Sequence, residues 1–289
     1  MTADIKRTSH QSLEDVQAGN RAWWTARTMS YDWKDNVQLQ RFSREWFDEI
    51  DRRFLHGARL VGKGDNPFEG LMNTGALAGK RVLEIGCGMG LHAEMLARAG
   101  ALLTTIDISA TSVEATQKRF ALKGLTGEIL AMDAELLAFP DGCFDLVWSW
   151  GVIHTSSRTG KIVREIARVL KPGGTTKIMV YHLGGTSAYL TLMLKYSWGF
   201  WAGRHSLDET LWQSSDGFAS RFYTRDLFTD ILATFFAEIE VSVFGQEADA
   251  IPLPRRLRRW ACQFVSNERQ RRLAARRGSF LYAVAGKPS

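Results

Sequence analysis

The chain has 289 residues, 45% of them apolar, which suffices for one large domain, or one domain with sizeable attachments, around a real core. Its three cysteines, Cys87, Cys143 and Cys262, lie far apart and form no CxxC pair. That argues against a disulfide framework and against a metal site, and it points to a reducing cytoplasm. The net charge of +6 is local, because residues 255–277 hold nine arginines and one acid, Glu268, which leaves the rest slightly acidic.

In chain order, the N-terminus Met-Thr-Ala-Asp-Ile-Lys-Arg is polar and lacks the apolar stretch of a secretory signal. Residues 1–79 then read as a helical cap in which Trp23, Trp24, Tyr31, Trp33, Trp46 and Phe47 cluster. These aromatics either form a core against the body of the protein or, with Tyr31 as the candidate, touch a ligand.

From Lys80 short apolar runs alternate with helical spacing, the mark of βαβ units around a parallel sheet. Strands are expected at Arg81–Ile85, Leu102–Ile106, Glu128–Met132, Phe144–Ser149 and Thr175–Tyr181. Helices are expected at Leu91–Ala99, Ser109–Leu122 and Lys161–Leu170, the last stopped by Lys171-Pro-Gly-Gly. The rhythm breaks over 183–222, then resumes with a helix at Thr224–Phe236 and strands at Glu238–Phe244 and Ser279–Ala285. The division that follows is a core at 80–182, an inserted lid at 183–222 and completion of the sheet at 223–289, with a basic insertion at 246–277. The fold class is α/β, a Rossmann-like, mostly parallel sheet of seven strands with helices on both faces.

The segment that carries the chemistry is the strand, glycine turn and helix at 81–99. Ligands of open parallel sheets bind at the carboxyl ends of strands, where Gly86, Gly88 and Gly90 let backbone approach a ligand closely. A dinucleotide fingerprint G-x-G-x-x-G starting at Gly86 would need glycine where Leu91 stands, so the pyrophosphate register is missing. E-x-G-x-G-x-G suits a nucleoside carrying an amino acid better. Glu84 can hold an ammonium group, Asp107 can accept both ribose hydroxyls, and Asp133 with Ala134 can bond an adenine edge. Three acids end three successive strands.

The run Val82–Gly90, the strand end at Asp107, Asp133-Ala134, Phe144–His154 and Arg164–Gly174 resemble the successive motifs of class I S-adenosylmethionine-dependent methyltransferases. The likeness covers about residues 80–182 and favours the branch of ubiquinone/menaquinone-type and natural-product enzymes. It implies Glu84, Gly86, Cys87, Gly88 and Gly90 near the methionine portion, Asp107 and Ile108 on ribose and adenine, and Asp133 and Ala134 on adenine. It further implies Ser149 and Trp150 beside the sulfonium, with S-adenosyl-L-homocysteine as product. The fourth strand ends Trp148-Ser-Trp-Gly without the Asn/Asp-Pro-Pro-Tyr/Phe sequence of enzymes acting on DNA bases or protein glutamine, so DNA is not an expected partner.

Methyl transfer from a sulfonium is an in-line displacement, and a base is needed only where the acceptor must lose a proton. His154 and His182, which follow the fourth and fifth strands, are the candidates, His154 first; either can equally be a structural histidine. A small, apolar or aromatic acceptor is expected, with O-methylation preferred over N- or C-methylation. The lid supplies Tyr189, Leu190, Leu192, Met193, Leu194, Tyr196, Trp198, Phe200 and Trp201, residues that either are simply buried or line an apolar pocket. Its most apolar stretch, Tyr189–Trp201, is interrupted by Lys195 and falls short of the ~20 residues that span a bilayer. Residues 255–277 are either a solvated helix face or a surface for phosphates, of lipid at the inner face of a membrane or of RNA. An RNA methyltransferase is disfavoured because no RNA-binding appendage accompanies the core, and a non-catalytic cofactor-binding protein on the same fold is the other alternative.

Overall fold

The computed structural model describes residues 11–31, 37–64, 66–196 and 206–289. Its centre is a sheet with strand order β3-β2-β1-β4-β5-β8-β7. The strands are β1 (Arg81–Ile85), β2 (Leu102–Asp107), β3 (Glu128–Ala131), β4 (Phe144–Trp150), β5 (Leu170–His182), β6 (Phe222–Tyr223), β7 (Ala237–Phe244) and β8 (Phe280–Gly286). β1 to β5 are parallel, whereas β8 runs antiparallel to both β5 and β7. Seven strands were expected; the eighth, β6, is a two-residue strand parallel to the end of β5, in sequence that reads as irregular. β5 also starts earlier than expected, at Leu170, because the chain turns extended as soon as the preceding helix stops.

Pleating sends neighbouring side chains of a strand to opposite faces, and the core divides accordingly. Leu83, Val147 and Ile178 pack with Ile162, Val163 and Ile166 of one helix and Phe228 and Leu232 of another. Val82, Leu146 and Trp148 point the other way, against Ala93, Leu96, Phe120, Phe68 and Met72. Near-complete burial of such side chains contributes about 1.5–3 kcal/mol each before entropy is counted.

The helices are α1 (Leu13–Ala26), α2 (Arg44–Ala58), α3 (Glu69–Met72), α4 (Leu91–Arg98), α5 (Ala110–Lys123), α6 (Thr159–Val169), α7 (Thr186–Thr191), α8 (Leu207–Ser214), α9 (Arg225–Ala233), α10 (Glu247–Ala250), α11 (Arg255–Ala261) and α12 (Asn267–Arg277). Their starts are legible locally: Ser12, Ser43, Ser109, Ser206, Thr224 and Ser266 each accept an amide of the first turn, which satisfies a donor the helix cannot. A single π turn, Leu192–Tyr196, extends α7.

Two long-range attachments bring the N-terminal helices over the carboxyl edge of the sheet. Arg119 of α5 is fully buried; it pairs with Asp51 of α2 and Glu94 of α4 and donates to the Met89 carbonyl. Lys123 adds a bond to Glu94 at 3.0 Å. α1 is tied by Ser109 and Thr111 hydroxyls donating to the carbonyls of Trp24 and Thr25, and by Asn20 donating to the Thr155 carbonyl at 2.7 Å.

Candidate active site

A cavity of about 910 Å³ opens at the carboxyl ends of β1, β2 and β4, where the strand order reverses. Loops leaving adjacent strands in opposite directions part there, which is why open parallel sheets carry their ligands at this point.

The glycine loop forms one wall. Gly86, Cys87 and Gly88 line the cavity, and Gly86 and Gly88 sit at φ of +89° and +51°, where a Cβ is strained. A Cβ on Gly86 would meet Val152 Cγ2 at 2.2 Å, whereas one on Gly88 would project into open space. Gly90 stands outside the lining: its absent Cβ makes room for Thr116 and the Arg119 stem, so this glycine serves helix packing.

Asp107 lines the cavity and accepts the amides of Gly88 at 3.0 Å and Ser109 at 2.8 Å, one per oxygen. A carboxylate has about four lone-pair sites, so both oxygens can still accept from a ligand. Burial raises its pKa against those amide bonds. Glu84 is buried behind the loop, outside the lining, with the Thr105 hydroxyl donating to it at 2.6 Å. Burial, reinforced by the charge of Asp107, pushes its carboxyl up to about 8. Burial likewise raises the Cys87 thiol well above its ordinary value, which keeps it protonated and inert.

At the β3 end Ile108, Asp133 and Ala134 line the cavity. Asp133 is already engaged: the Gln17 amide donates to both its oxygens at 3.0 Å, and the Glu135 amide to one at 2.9 Å. Gln17, with Asn20 and Trp24 of α1, completes that end of the cavity. Sequence reading missed all three as site residues; the one available signal was the capping box, Ser12 with Asp15, that starts α1.

The far end is largely aromatic but carries charge as well: Asp51, Arg53 and Asp216 also line the cavity, and the charges of Asp216 and Asp51 act on Tyr31. Trp150, Met179, Tyr181 and Phe280 come from β4, β5 and β8, and Tyr31 and Phe54 from the N-terminal helices and their connection. Trp150 stacks on Trp148 at 5.8 Å and meets Phe68 edge-on at 4.9 Å, so its ring is held from both sides. Ser149 points away, its hydroxyl donating to the Ile85 carbonyl of β1, as pleating requires of a neighbour of Trp150. Burial raises the hydroxyls of Tyr31 and Tyr181 far above the ordinary tyrosine value, so both are protonated.

Neither expected base lines the cavity. His154 is buried on a short turn behind Tyr181, ring centres 3.9 Å apart, with no partner for either ring nitrogen. Burial lowers its pKa to about 3, so the ring is neutral. His182 is held through Nδ1 by the Gly278 carbonyl at 2.8 Å. The histidine that does line the cavity among the described residues is His92, two positions beyond the glycine turn. Its Nδ1 accepts the Trp148 indole N–H at 3.3 Å, which leaves the proton of the neutral ring on Nε2 and makes it a donor. Burial holds its pKa near 3.

Among the described residues the expected apolar lid does not cover the cavity. Of residues 183–222, Asp216 alone lines the cavity among the described residues, while Tyr189, Leu190, Met193 and Leu194 are exposed. Trp198, Phe200 and Trp201 lie outside the described residues. The cover comes instead from α1 and α2 and the chain between them.

This glycine loop, with acids at successive strand ends, has counterparts among known proteins. A family model described as "Methyltransferase domain" matches residues 83–178. A ubiquinone biosynthesis O-methyltransferase of Ralstonia nicotianae is 30% identical over 174 residues, 58% of this chain and 70% of that protein. The chain belongs to the class I S-adenosylmethionine-dependent methyltransferases. The protein of the same name from a Caulobacter species is 31% identical over 168 residues, 52% of this chain; this chain spans 63% of that relative's length. Phosphoethanolamine N-methyltransferase 2 of Haemonchus contortus, solved with phosphomonomethylethanolamine and S-adenosylhomocysteine, shares the fold at a TM-score of 0.53 and 22% identity, over 76% of this chain and 51% of that one.

The cofactor of these methyltransferases is S-adenosylmethionine, and the cavity fits it on physical grounds. Two carboxyls beneath the glycine loop, Glu84 and Asp107, are pushed up by burial, and among the described residues no cationic side chain is bonded to either. A ligand bearing ammonium and sulfonium charge supplies what they lack.

Proposed function

We propose that this methyltransferase acts on the oxygen of a small, apolar or aromatic acceptor. The observation that carries the reading is the aromatic and apolar surface of Phe54, Trp150, Met179, Tyr181 and Phe280, which shares the cavity with the acids and backbone amides of the β1–β3 end and has Asp216 as a charged neighbour. S-adenosylmethionine supplies an activated methyl group on a sulfonium, so the protein's work is alignment and exclusion of water.

On this reading Gly86, Cys87 and Gly88 hold the methionine portion through backbone, with Glu84 balancing its ammonium from below. Asp107 and Ile108 take ribose and adenine, and Asp133, positioned by Gln17, takes the adenine edge with Ala134. Trp150 and Tyr181 flank the acceptor. We assign His154 the role of holding the Tyr181 ring in place, since a ring with a pKa near 3 is a weak base at neutral pH.

The test is incubation with methyl-labelled cofactor and a panel of phenols, catechols, fatty acids, amines and RNA, with products read by mass spectrometry. Label on a phenolic or carboxylic oxygen is expected. Exclusive transfer to amines or to RNA overturns the acceptor reading, and cofactor binding with no transfer across the panel overturns the catalytic one.

A further inference from the structure

Between β7 and β8 the chain leaves the sheet and builds α10, α11 and α12 outside it. Leu257, Trp260 and Phe264 recur there at intervals of three and four, so they stand along one side of α11 and the short turn that follows, and Leu253 lies in the chain just before the helix. All four are exposed, from 42% at Leu253 to 72% at Phe264, and the Trp260 and Phe264 rings touch each other at 5.0 Å. An amphipathic segment that turns its large apolar residues outward has found no partner for them within the described protein.

Alongside runs the positive charge. Arg269, Arg272 and Arg276 share a face of α12 and, with Leu273, line a groove of about 430 Å³. Among the described side chains of 255–277, the one ion pair is Arg272 with Glu268, exposed on both sides and therefore weak. α7 adjoins the end of α12: the Thr186 hydroxyl donates to the Arg277 carbonyl at 3.0 Å, and Tyr189, Met193 and Leu194 further along are exposed as well. Gln246 and Phe280, where the excursion leaves and rejoins the sheet, line the cavity.

We propose that α7, α11 and α12 form a docking face for an anionic phospholipid bilayer. Leu257, Trp260 and Phe264 enter the boundary between headgroups and acyl chains while the α12 arginines meet lipid phosphates. Charge alone suits RNA equally, and an aromatic ring can stack on a base. The aliphatic residues Leu253, Leu257, Met193 and Leu194 have no such use and are accounted for by hydrocarbon. No helix among the described residues is long and apolar enough to cross a membrane, so the contact is peripheral. The inference is independent of the acceptor, since docking is read without turnover.

Sedimentation of the full chain with vesicles tests it, phosphatidylcholine alone against a mixture containing about 30% phosphatidylglycerol. Binding to the anionic vesicles is expected, falling as salt rises. Each arginine near the surface is worth about a fivefold change in partitioning, so Arg269→Glu/Arg272→Glu/Arg276→Glu should weaken binding more than about a hundredfold. Trp260→Ser/Phe264→Ser leaves the charge intact and should weaken it at least about tenfold through lost apolar burial. Thermal melts with S-adenosylhomocysteine check that the variants fold, and Arg272→Gln, expected to cost about fivefold, replaces the triple variant if it does not. Equal sedimentation with both vesicle types overturns the proposal. So does anionic binding indifferent to Trp260→Ser/Phe264→Ser, or tighter binding to single-stranded RNA that is equally indifferent.

Discussion

Glu84 makes the cofactor reading measurable as a proton count. Its carboxyl is buried, bonded by Thr105 alone among the described side chains, and raised to about 8 with burial as the main cause. At pH 7 such a group is about 0.9 protonated, and returning it to an ordinary carboxylate value beside an ammonium group would release about 0.9 proton per site. The perturbation is cofactor binding, compared between the natural chain and Glu84→Gln. Calorimetric titration with S-adenosylmethionine in buffers of different ionisation enthalpy gives the proton number, and subtraction of the variant's value cancels the ligand's own amine. A difference near one proton at pH 7, shrinking above pH 8 where Glu84 is already ionised, is expected. The sign carries over to stability without ligand. A carboxyl with a raised folded pKa contributes stability that is complete below about 4.5 and lost as pH rises through 8, so the melting temperature should fall over that window and Glu84→Gln should flatten the fall. Equal proton release by the chain and Glu84→Gln would refute the reasoning.

The two glycines of the loop should separate. Gly86→Ala drives a Cβ into Val152 at positive φ and should lower stability by about 1–3 kcal/mol in a thermal melt. Gly88→Ala meets nothing within 4 Å, so it should cost only about 1 kcal/mol of backbone strain yet weaken S-adenosylhomocysteine binding at least about tenfold, because the new methyl stands in the cavity. His154→Phe keeps the ring against Tyr181 and should retain most turnover with an unchanged pH profile, while His154→Ala should lose it; equal loss in both would restore the base role. Arg119→Met strands the part-buried Asp51, while Glu94 keeps Lys123 and Arg98, and should cost about 3–5 kcal/mol in denaturant unfolding, detaching α2 from the cavity.

What the sequence by itself determined is the repeating βα core and its cofactor end. Strand and helix periods are local, and so are the glycines that stop β1 and the acids that end β2 and β3; Asp107 and Asp133 line the cavity as their positions implied. Even the β7–β8 excursion is legible, as a break in rhythm rich in arginine. The N-terminal section reads as a helical cap from sequence, but tertiary structure alone decided which of its residues reach the site and which polar groups face it. Gln17 meets Asp133 across 116 residues and Arg119 meets Asp51 across 68, contacts for which no spacing rule exists. Whether a side chain next to the fourth strand faces the cavity turns on pleat and register: Trp150 lines it, Ser149 turns to β1, and His154 is set behind Tyr181 by a turn whose direction is fixed by β5 and β6 packing beside it. The apolar residues after β5 read as a lid because composition reports hydrophobicity without direction; in the fold Tyr189, Leu190, Met193 and Leu194 are exposed, others such as Leu211 and Trp212 are buried away from the cavity, and the N-terminal helices lie over the site.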